Sequence, residues 1–230
     1  MNYNKNIVEA KFLKRPNRFQ AYVLLNGEEL MVHVPNTGRC KELLIPGCIV
    51  LLREENNPKR KTKYSLVSVY KGEELINIDS QAPNKIVEEA LLKGNIPELK
   101  KYDIVLREKT FGNSRFDFKL GNIEGEEYYL EVKGVTLEEN GFARFPDAPT
   151  ERGKKHILEL IEVKNSGKGA GILFLIQIKN VSKFSTNKET DPKFSEALAL
   201  AKRLGVDIFA YNCNVTHKEI ELLNPVKIIL

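Results

Sequence analysis

The character of the sequence changes near residue 80, and this change limits the possible folds more than any other feature. Before it, short segments alternate hydrophobic with polar residues between turn residues, as in FQAYVLL, LMVHV, CIVLLRE and YSLVSVY. Such alternation is typical of half-buried β-strands, and the Asn26-Gly27 pair is a strong hairpin signal. Pro46-Gly47 marks another turn. About five short strands predict a small β-barrel of the OB type, for which an SH3-like barrel is the alternative.

After residue 80, helices alternate with strands. The segment KIVEEALLKG predicts a helix that ends at Gly94. Further strands are predicted at 102–110, 114–121, 126–135, 170–178 and 206–211, and further helices at 151–165 and 192–204. This order indicates an α/β (α+β) protein in which a mixed sheet is flanked by helices. We therefore assign residues 1–80 to an OB-like nucleic-acid-binding barrel and residues 81–230 to a second domain.

The segment from Glu138 to Thr150 has no periodicity and contains several helix and strand breakers. It predicts a long loop, and a long ordered loop inside a compact domain more often serves function than only connection. Thr150 is expected to cap the helix that follows.

Composition restricts the cellular setting and the class of partner. The chain has 36 Lys and Arg against 31 Asp and Glu, a net charge of +5, which gives a modest preference for anionic partners. Its three cysteines, Cys40, Cys48 and Cys213, have no C-x-x-C spacing and are odd in number, which argues against a disulfide framework and a zinc ribbon. No signal peptide is visible, and the longest apolar run, GILFLIQI, is too short to span a bilayer. These features predict a cytoplasmic protein that is not embedded in a membrane.

Two predicted strands, SRFDFKL and YYLEVKG, place carboxylates among aromatic residues. Because side chains alternate across a strand, Tyr129, Glu131 and Lys133 share one face of the second strand. In the first strand Asp117 lies on the face opposite the core. The predicted core face consists of Phe116, Phe118 and Leu120. If the two strands pair antiparallel, Asp117 comes close to Glu131.

Two neighbouring carboxylates repel each other unless a cation or a proton lies between them. Oxygen ligands suit Mg²⁺ (or Mn²⁺), which keeps several waters and binds phosphate oxygens, and Lys133 would orient or help to deprotonate an attacking water. Glu89 on the preceding helix is the expected third acid, with Glu88 as the alternative. The competing interpretation is a solvated strand face with cross-strand ion pairs, in which Glu89 merely pairs with a nearby lysine.

The order of a helix acid, Asp117 on one strand and Glu-Val-Lys on the next resembles the PD-(D/E)xK nuclease superfamily. The runs HVPNTGR, FGNSRFDF, EVKGVTL, FPDAPTERGKKH and DPKFSEAL resemble, more specifically, the sugar fermentation stimulation protein family. The resemblance implies an OB-like domain joined to a restriction-endonuclease-like domain, with DNA binding and metal-dependent nuclease activity. It implies Glu89, Asp117, Glu131 and Lys133 as nuclease residues, with Glu89, Asp117 and Glu131 as metal ligands. The family commonly has Cys-Pro-Asn-Thr-Gly where this chain has Val34, so a thiol there is not essential.

Basic residues on both predicted domains are candidates for contacting a phosphate backbone. Positive side chains at the start of the helix at 151–165 oppose its macrodipole, so their clustering indicates an anion bound across them. Arg144 and Arg152 are the preferred phosphate clamps, and NPKRKTKYS is a basic loop of the barrel. The predicted nucleic-acid-binding residues are Arg39, Lys59, Arg60, Lys61, Arg115, Arg144, Arg152 and Lys154. Asp147 is interpreted as a loop cap rather than a ligand, and His156 is left outside the mechanism.

The sequence therefore predicts a metal-dependent nuclease that hydrolyses phosphodiester bonds in DNA or RNA. The alternative is a non-catalytic DNA-binding transcriptional regulator of sugar metabolism on a nuclease-like scaffold, and a third interpretation is a sheet protein with ion-paired surface strands. The sequence leaves open DNA against RNA, single against double strands, sequence specificity and oligomeric state, including a homodimer.

Overall fold

The computed structural model describes all residues, 1–230, and its first part is a β-barrel. The six strands of this part are β1 (Ile7–Asn17), β2 (Gln20–Leu25), β3 (Glu28–His33), β4 (Ile49–Glu54), β5 (Tyr64–Lys71) and β6 (Glu74–Asn77). They are ordered β3-β2-β1-β4-β5-β6, and the parallel pairing of His33 with Ser65 joins β3 to β5 and closes a five-stranded barrel. Asn26 and Gly27 both have positive φ at the β2–β3 turn, as the hairpin signal predicted.

The second part contains the remaining helices and strands. In chain order these are α1 (Ala82–Leu92), a 3₁₀ turn (Pro97–Leu99), β7 (Ile104–Phe111), β8 (Ser114–Gly121), β9 (Glu127–Val135), β10 (Leu137–Glu139), β11 (Phe142–Phe145), α2 (Glu151–Asn165), β12 (Gly169–Ile176), β13 (Lys183–Thr186), α3 (Pro192–Arg203), β14 (Asp207–Val215), β15 (Ile220–Pro225) and β16 (Lys227–Ile229). The main sheet is ordered β15-β14-β12-β9-β8-β7.

The main sheet is mixed and has helices on both faces, which confirms the predicted fold class. Strands β9, β12 and β14 run parallel, whereas β7, β8 and β9 form an antiparallel meander. The apolar stripe of α1 packs in one hydrophobic cluster with Phe118 and Leu130. The stripe of α2 packs in the other cluster with Ile172 and Phe174. The core therefore lies on both sides of the sheet.

The segment after β9 differs from the sequence-based expectation. Residues 138–145, predicted as part of a loop, belong to the antiparallel pair β10 and β11, and only the remainder up to Thr150 is irregular. Strand β11 also pairs in parallel with β13, within a small sheet ordered β10-β11-β13-β16. These strands have three or four residues each, and β11, β13 and β16 pair with segments far away in sequence, so no local periodicity reveals them.

The starts of α2 and α3 are held together by their capping residues. The hydroxyl of Thr150 accepts a hydrogen bond from the Gly153 amide at 3.0 Å, which confirms the predicted cap. Asp191 accepts from the Phe194 amide at 2.9 Å with one oxygen and from the Thr150 amide at 2.8 Å with the other. One carboxylate therefore caps α3 and fixes the beginning of α2, because both helix starts need acceptors for free N–H groups.

The two parts of the chain share their cores. The larger hydrophobic cluster includes Phe12 and Val23 of the barrel together with Ile157 of α2, and the smaller one includes Leu51 of the barrel with Ile86 of α1. All three cysteines are free. No helix of the structure is long and apolar enough to cross a bilayer.

Candidate active site

The carboxylate of Asp117 lies where β8 and β9 separate. Their ladder runs from Gly121 and Glu127 to Phe118 and Leu130 and stops there. At the next position Oδ2 of Asp117 accepts a hydrogen bond from the Val132 amide at 2.8 Å. The Asp117 side chain thus accepts a hydrogen bond from a β9 amide at the point where the backbone pairing of β8 with β9 ends.

The regular alternation of side chains along β8 is broken at Asp117. The expectation that Phe116 and Phe118 share one core face is therefore wrong. Phe118 belongs to the cluster on the α1 side of the sheet, whereas Phe116 packs against Tyr129 and His156 on the α2 side. Strict alternation would put both phenylalanines on one face. Both are buried as predicted, but on opposite faces, and Asp117 lies at the crossover.

Helix α1 contributes an amide to this carboxylate. The side-chain nitrogen of Asn84 donates to Oδ1 of Asp117 at 2.7 Å. Burial raises the pKa of Asp117, and the nearby negative charge of Glu131 raises it further, while the hydrogen bonds from Val132 and Asn84 act in the opposite direction. A carboxylate held in this way gains from a cation placed beside it.

Glu131, the second carboxylate of the site, lies on β9 and is almost completely buried. Its Oε1 accepts hydrogen bonds from Lys133 Nζ and from His156 Nδ1, each at 2.5 Å. Burial favours the neutral acid, but His156 and Lys133 outweigh it and hold the pKa of Glu131 below its ordinary value. Its second oxygen, Oε2, is buried and has no hydrogen-bond partner within the protein.

His156, which the sequence-based interpretation left outside the mechanism, contacts Glu131 in the structure. It is buried on α2 and donates through Nδ1 to an ionised carboxylate, so it orients Glu131 as an outer-shell histidine–carboxylate pair does. The signal that identifies it is its spacing. His156 continues the stripe formed by Ile157, Leu160 and Ile161, which predicts a side chain facing the sheet. Asn84 gives no comparable signal.

The structure does not bring the expected helix acid to this site. Glu89 contacts the amino group of Met1 at 2.6 Å and Lys93 at 2.6 Å, at a depression formed with β15. Its alternative, Glu88, contacts Arg107 on the edge strand β7 at 3.2 Å. The reason is helical geometry, because the residue of α1 that faces Asp117 is Asn84, and Glu89 lies five positions further around the helix.

Asp117 and Glu131 are the two side chains of this site that could hold a divalent cation. No group of three or more His, Cys, Asp and Glu side chains in the structure forms a metal cluster. Asp117 and Glu131 are adjacent acids, and the buried Oε2 of Glu131 lacks the partner that such an atom normally has. Oxygen ligands of this kind suit Mg²⁺, which keeps several waters and needs only one or two carboxylates.

The two parts of the chain share a pocket of about 180 Å³, which neither Asp117 nor Glu131 lines. Pro83 and Gly134 line it, and they are the sequence neighbours of Asn84 and Lys133. The turn of the Pro-Asn-Thr-Gly motif forms the barrel side, where Asn36 accepts from the Gly38 amide and donates to the Ile78 carbonyl, both at 2.7 Å.

The segment after β11 closes the pocket. A Cβ atom at Gly38 would lie 2.9 Å from Asp147 Oδ2, so the absence of a side chain at Gly38 lets Asp147 approach this turn closely. Asp147 therefore lies against the Pro-Asn-Thr-Gly turn, instead of capping its own loop as the sequence suggested. Arg144 lines the same pocket, with its guanidinium over the ring of Phe142.

The other predicted basic residues are dispersed over the surface. Lys59 and Lys61 are exposed, whereas Arg60 donates to Ser65 at 2.9 Å and lies 3.6 Å from Glu55. Arg115 lies 3.6 Å from Glu108 on the edge of the sheet. Arg152 is exposed and its Nε is 3.5 Å from Nε2 of His156, the histidine that contacts Glu131 through Nδ1. Lys154 is partly exposed on α2, and Arg39 is exposed on the barrel.

The architecture and the site define a class: an OB barrel joined to a restriction-endonuclease-like domain, with two acids and a lysine on adjacent strands of its sheet. The family models agree, since residues 13–78 match the SfsA N-terminal OB domain and residues 81–219 match the sugar fermentation stimulation protein RE domain. The chain belongs to the sugar fermentation stimulation protein (SfsA) family.

Individual relatives cover the whole chain. A sugar fermentation stimulation protein homolog of Clostridium perfringens is 70% identical over 230 residues, which is 100% of both chains. The homolog of Clostridium tetani is 68% identical over the same length. Among solved structures, SfsA of Pyrococcus furiosus in complex with Ca²⁺ is 32% identical, covers 100% of both chains and superposes with a TM-score of 0.90.

Proposed function

We propose that this protein is a divalent-metal-dependent nuclease that hydrolyses phosphodiester bonds of DNA or RNA. The observation that carries the proposal is the buried, unpartnered oxygen of Glu131 beside Asp117, with Lys133 on the same strand. Burying a carboxylate oxygen without a partner is costly, so an arrangement of this kind is expected where a ligand supplies the missing contact.

The cation would be held by Asp117 and Glu131, with Mg²⁺ or Mn²⁺ as the expected metal. When bound, it would polarise the phosphodiester and lower the pKa of a coordinated water. Asn84 and the Val132 amide fix the Asp117 carboxylate, and His156 fixes Glu131. Lys133 places its ammonium group beside Glu131, where it orients the attacking water and stabilises negative charge on the phosphoryl oxygens.

The Pyrococcus relative supports a divalent site, since its structure is described in complex with Ca²⁺. Ca²⁺ and Mg²⁺ both prefer oxygen ligands, but Mg²⁺ demands a tighter octahedral arrangement. The proposal is therefore that both ions bind this chain and that Mg²⁺ or Mn²⁺ supports hydrolysis. Arg144, which lines the shared pocket, and Arg152, beside His156, are the proposed phosphate contacts. Lys154, Arg115, Lys59, Arg60 and Lys61 are proposed to add to the electrostatic attraction of the substrate.

The first prediction concerns Lys133. Replacing it with methionine keeps the aliphatic stem but removes the charge, so Mg²⁺-dependent cleavage should fall by about 10²-fold or more while the fold is retained. The assay is a panel of labelled single- and double-stranded DNA and RNA with Mg²⁺, Mn²⁺ or EDTA. Glu131→Gln should be equally inactive.

The matched control is Lys193→Met, which removes one exposed lysine from the start of α3. Its cleavage rate should equal that of the wild type. Cleavage by Lys133→Met at the wild-type rate, or wild-type cleavage that persists in EDTA, would disprove the proposed function.

The second candidate function is a DNA-binding regulator without catalysis. The observation that favours it is the position of Glu89, which leaves the site with two acids where the superfamily resemblance implied three. Such a protein would bind nucleic acid equally well in EDTA and would cleave none of the panel with any metal. The same experiment therefore distinguishes the two functions.

A further inference from the structure

A second concave surface lies on the barrel and contains basic residues that the sequence-based prediction largely missed. It is a groove of about 700 Å³ along the end of β1 and the loop between β3 and β4. The cations that line it are Lys14, Arg15, Arg18, Arg39 and Lys41, and no aspartate or glutamate lines it. We call this surface the basic groove. A groove lined by charges of one sign concentrates ligands of the opposite sign.

Most of this charge is not neutralised by the protein. Lys14 lies 3.2 Å from Glu29, but Arg18, Arg39 and Lys41 are exposed and form no ion pair. The guanidinium of Arg15 donates to the carbonyls of Arg39, Arg18 and Asn36, each at 2.7 Å. Arg15 therefore holds the two sides of the groove together and keeps its positive charge, because carbonyl groups carry no countercharge.

The floor of the basic groove is apolar and an aromatic ring stands at its edge. Leu13, Leu44 and Pro46 contribute to the lining. Phe19, next to Arg18 at the β1–β2 turn, is 52% exposed. A cationic rim with an apolar, partly aromatic surface suits a ligand that offers phosphates and unstacked bases together. Single-stranded nucleic acid has this chemistry, whereas a duplex keeps its base faces stacked inside.

The groove is continuous with the pocket that the two parts of the chain share, which Pro83 and Gly134, the sequence neighbours of Asn84 and Lys133, also line. Thr37 and Gly38 line both, and Ala148, which lines the groove, follows Asp147, which lines the pocket. We propose that the basic groove binds the backbone of a single-stranded nucleic acid and leads it to Asp117 and Glu131. This inference deepens the proposed function and takes its substrate class from it.

The test measures binding apart from cleavage. A labelled oligonucleotide of about 15 nucleotides, near the upper site size of one OB fold, is titrated by fluorescence anisotropy in EDTA, as single-stranded DNA, single-stranded RNA and duplex DNA. The variant is Arg18→Ala combined with Arg39→Ala. Neither guanidinium donates a hydrogen bond within the protein, so the fold should be retained.

The double variant should bind single strands at least about tenfold more weakly. The negative slope of log K against log salt should become shallower by about 1.4, because two phosphate contacts are lost. Phe19→Ala should weaken binding about fivefold without changing that slope, since it removes stacking and no charge. The matched control is Lys202→Ala with Arg203→Ala, which removes two exposed cations at the end of α3 and should bind as the wild type does.

Wild-type affinity of the Arg18→Ala, Arg39→Ala protein for single strands, or equal affinity of the wild type for duplex DNA, would overturn the inference. The proposed function can fail separately. If no substrate is cleaved but the groove variants still lose single-strand binding, the groove assignment stands and the nuclease assignment falls. If the wild type cleaves and the groove variants bind normally, the reverse conclusion holds.

Discussion

Asp117 and Glu131 are both carboxylates next to each other, yet their surroundings move their pKa values in opposite directions. Burial opposes ionisation of both groups. The difference arises because Lys133 and His156 both bind Glu131, whereas the nearest hydrogen bonds to Asp117 come from neutral groups. When no cation is bound, the repulsion between the two carboxylates therefore raises the pKa of Asp117, whereas that of Glu131 stays lowered.

A prediction at this scale is that Asp117→Asn stabilises the metal-free protein at neutral pH. Because the folded-state pKa of Asp117 is raised, the ionised group destabilises the fold above that pKa, and the penalty disappears as pH falls below the ordinary value of 3.8. Asparagine can still accept from Val132 and pair with Asn84. The melting temperature should rise by a few degrees at pH 7, since 1 kcal/mol corresponds to about 2–4 °C for a chain of this size.

Added Ca²⁺ supplies the control. It should raise the melting temperature of the wild type and leave that of Asp117→Asn unchanged, because the variant lacks one of the two charged ligands proposed for the cation. A variant that melts below the wild type at pH 7 without metal, or that is stabilised equally by Ca²⁺, would refute the account of Asp117.

At the scale of helices and strands, the sequence predicts elements with strong local periodicity and misses those defined by distant partners. Helix α2, the strands of the β7–β9 meander and the cap at Thr150 were predicted nearly to the residue, because alternation, helical spacing and capping are local properties. Strands β11 and β13 were missed, since their pairing joins segments about forty residues apart, and β10 was missed because it has only three residues.

Within the candidate site, the residues on the strands were likewise predicted from local pattern, whereas the residue on the helix was not. Glu131 and Lys133 share a face because strand alternation requires it, and the register of β8 against β9 brings Asp117 beside them. The helix contribution depends on how α1 is rotated over the sheet, which packing decides. That rotation places Asn84 on Asp117 and turns Glu89 toward Met1, so the acid chosen from the sequence lies elsewhere.

Helix α2 yields the next prediction, because it carries His156 to β9. His156→Ala removes the donor that orients Glu131, and affinity for a divalent cation should fall by about 10–100-fold. His156→Asn should recover part of this loss, since its amide nitrogen occupies the position of Nδ1 in the imidazole ring. Isothermal titration with Ca²⁺ measures both variants.

The control for this experiment is His217→Ala, which removes an exposed histidine that contacts Glu9 and Tyr70. It should bind Ca²⁺ as the wild type does. If His156→Ala retained wild-type affinity, or if asparagine recovered nothing while alanine lost binding, His156 would not be a hydrogen-bonding positioning residue.

At the scale of the whole molecule, the barrel and the second domain are joined by charge as well as by their shared cores. Glu55, buried at the end of β4, accepts from Arg53 at 2.9 Å and also pairs with Lys5 and Arg60. Arg53 in turn donates to Asp79 at 2.9 Å, just before α1. This network fixes the connection between the barrel that offers the basic groove and the helix that holds Asp117.

Replacing Glu55 with glutamine should therefore destabilise the entire chain in a single cooperative transition. Burial opposes ionisation of Glu55, but Lys5 and Arg53 outweigh it and lower its pKa from 4.5 to about 2. A depressed carboxyl pKa adds stability above pH 4.5, and this stability is lost as pH falls toward 2. At pH 7 the loss should be about 2 kcal/mol, as for other hydrogen bonds to charged groups.

Urea unfolding of the Glu55→Gln protein, followed by far-UV circular dichroism and by tyrosine fluorescence, should give coincident curves. The difference in the free energy of unfolding between this variant and the wild type should become smaller in acid. Glu54→Gln, which removes the neighbouring surface glutamate, should change little. Separate transitions for the two probes, or a gap independent of pH, would show that the network does not couple the two domains.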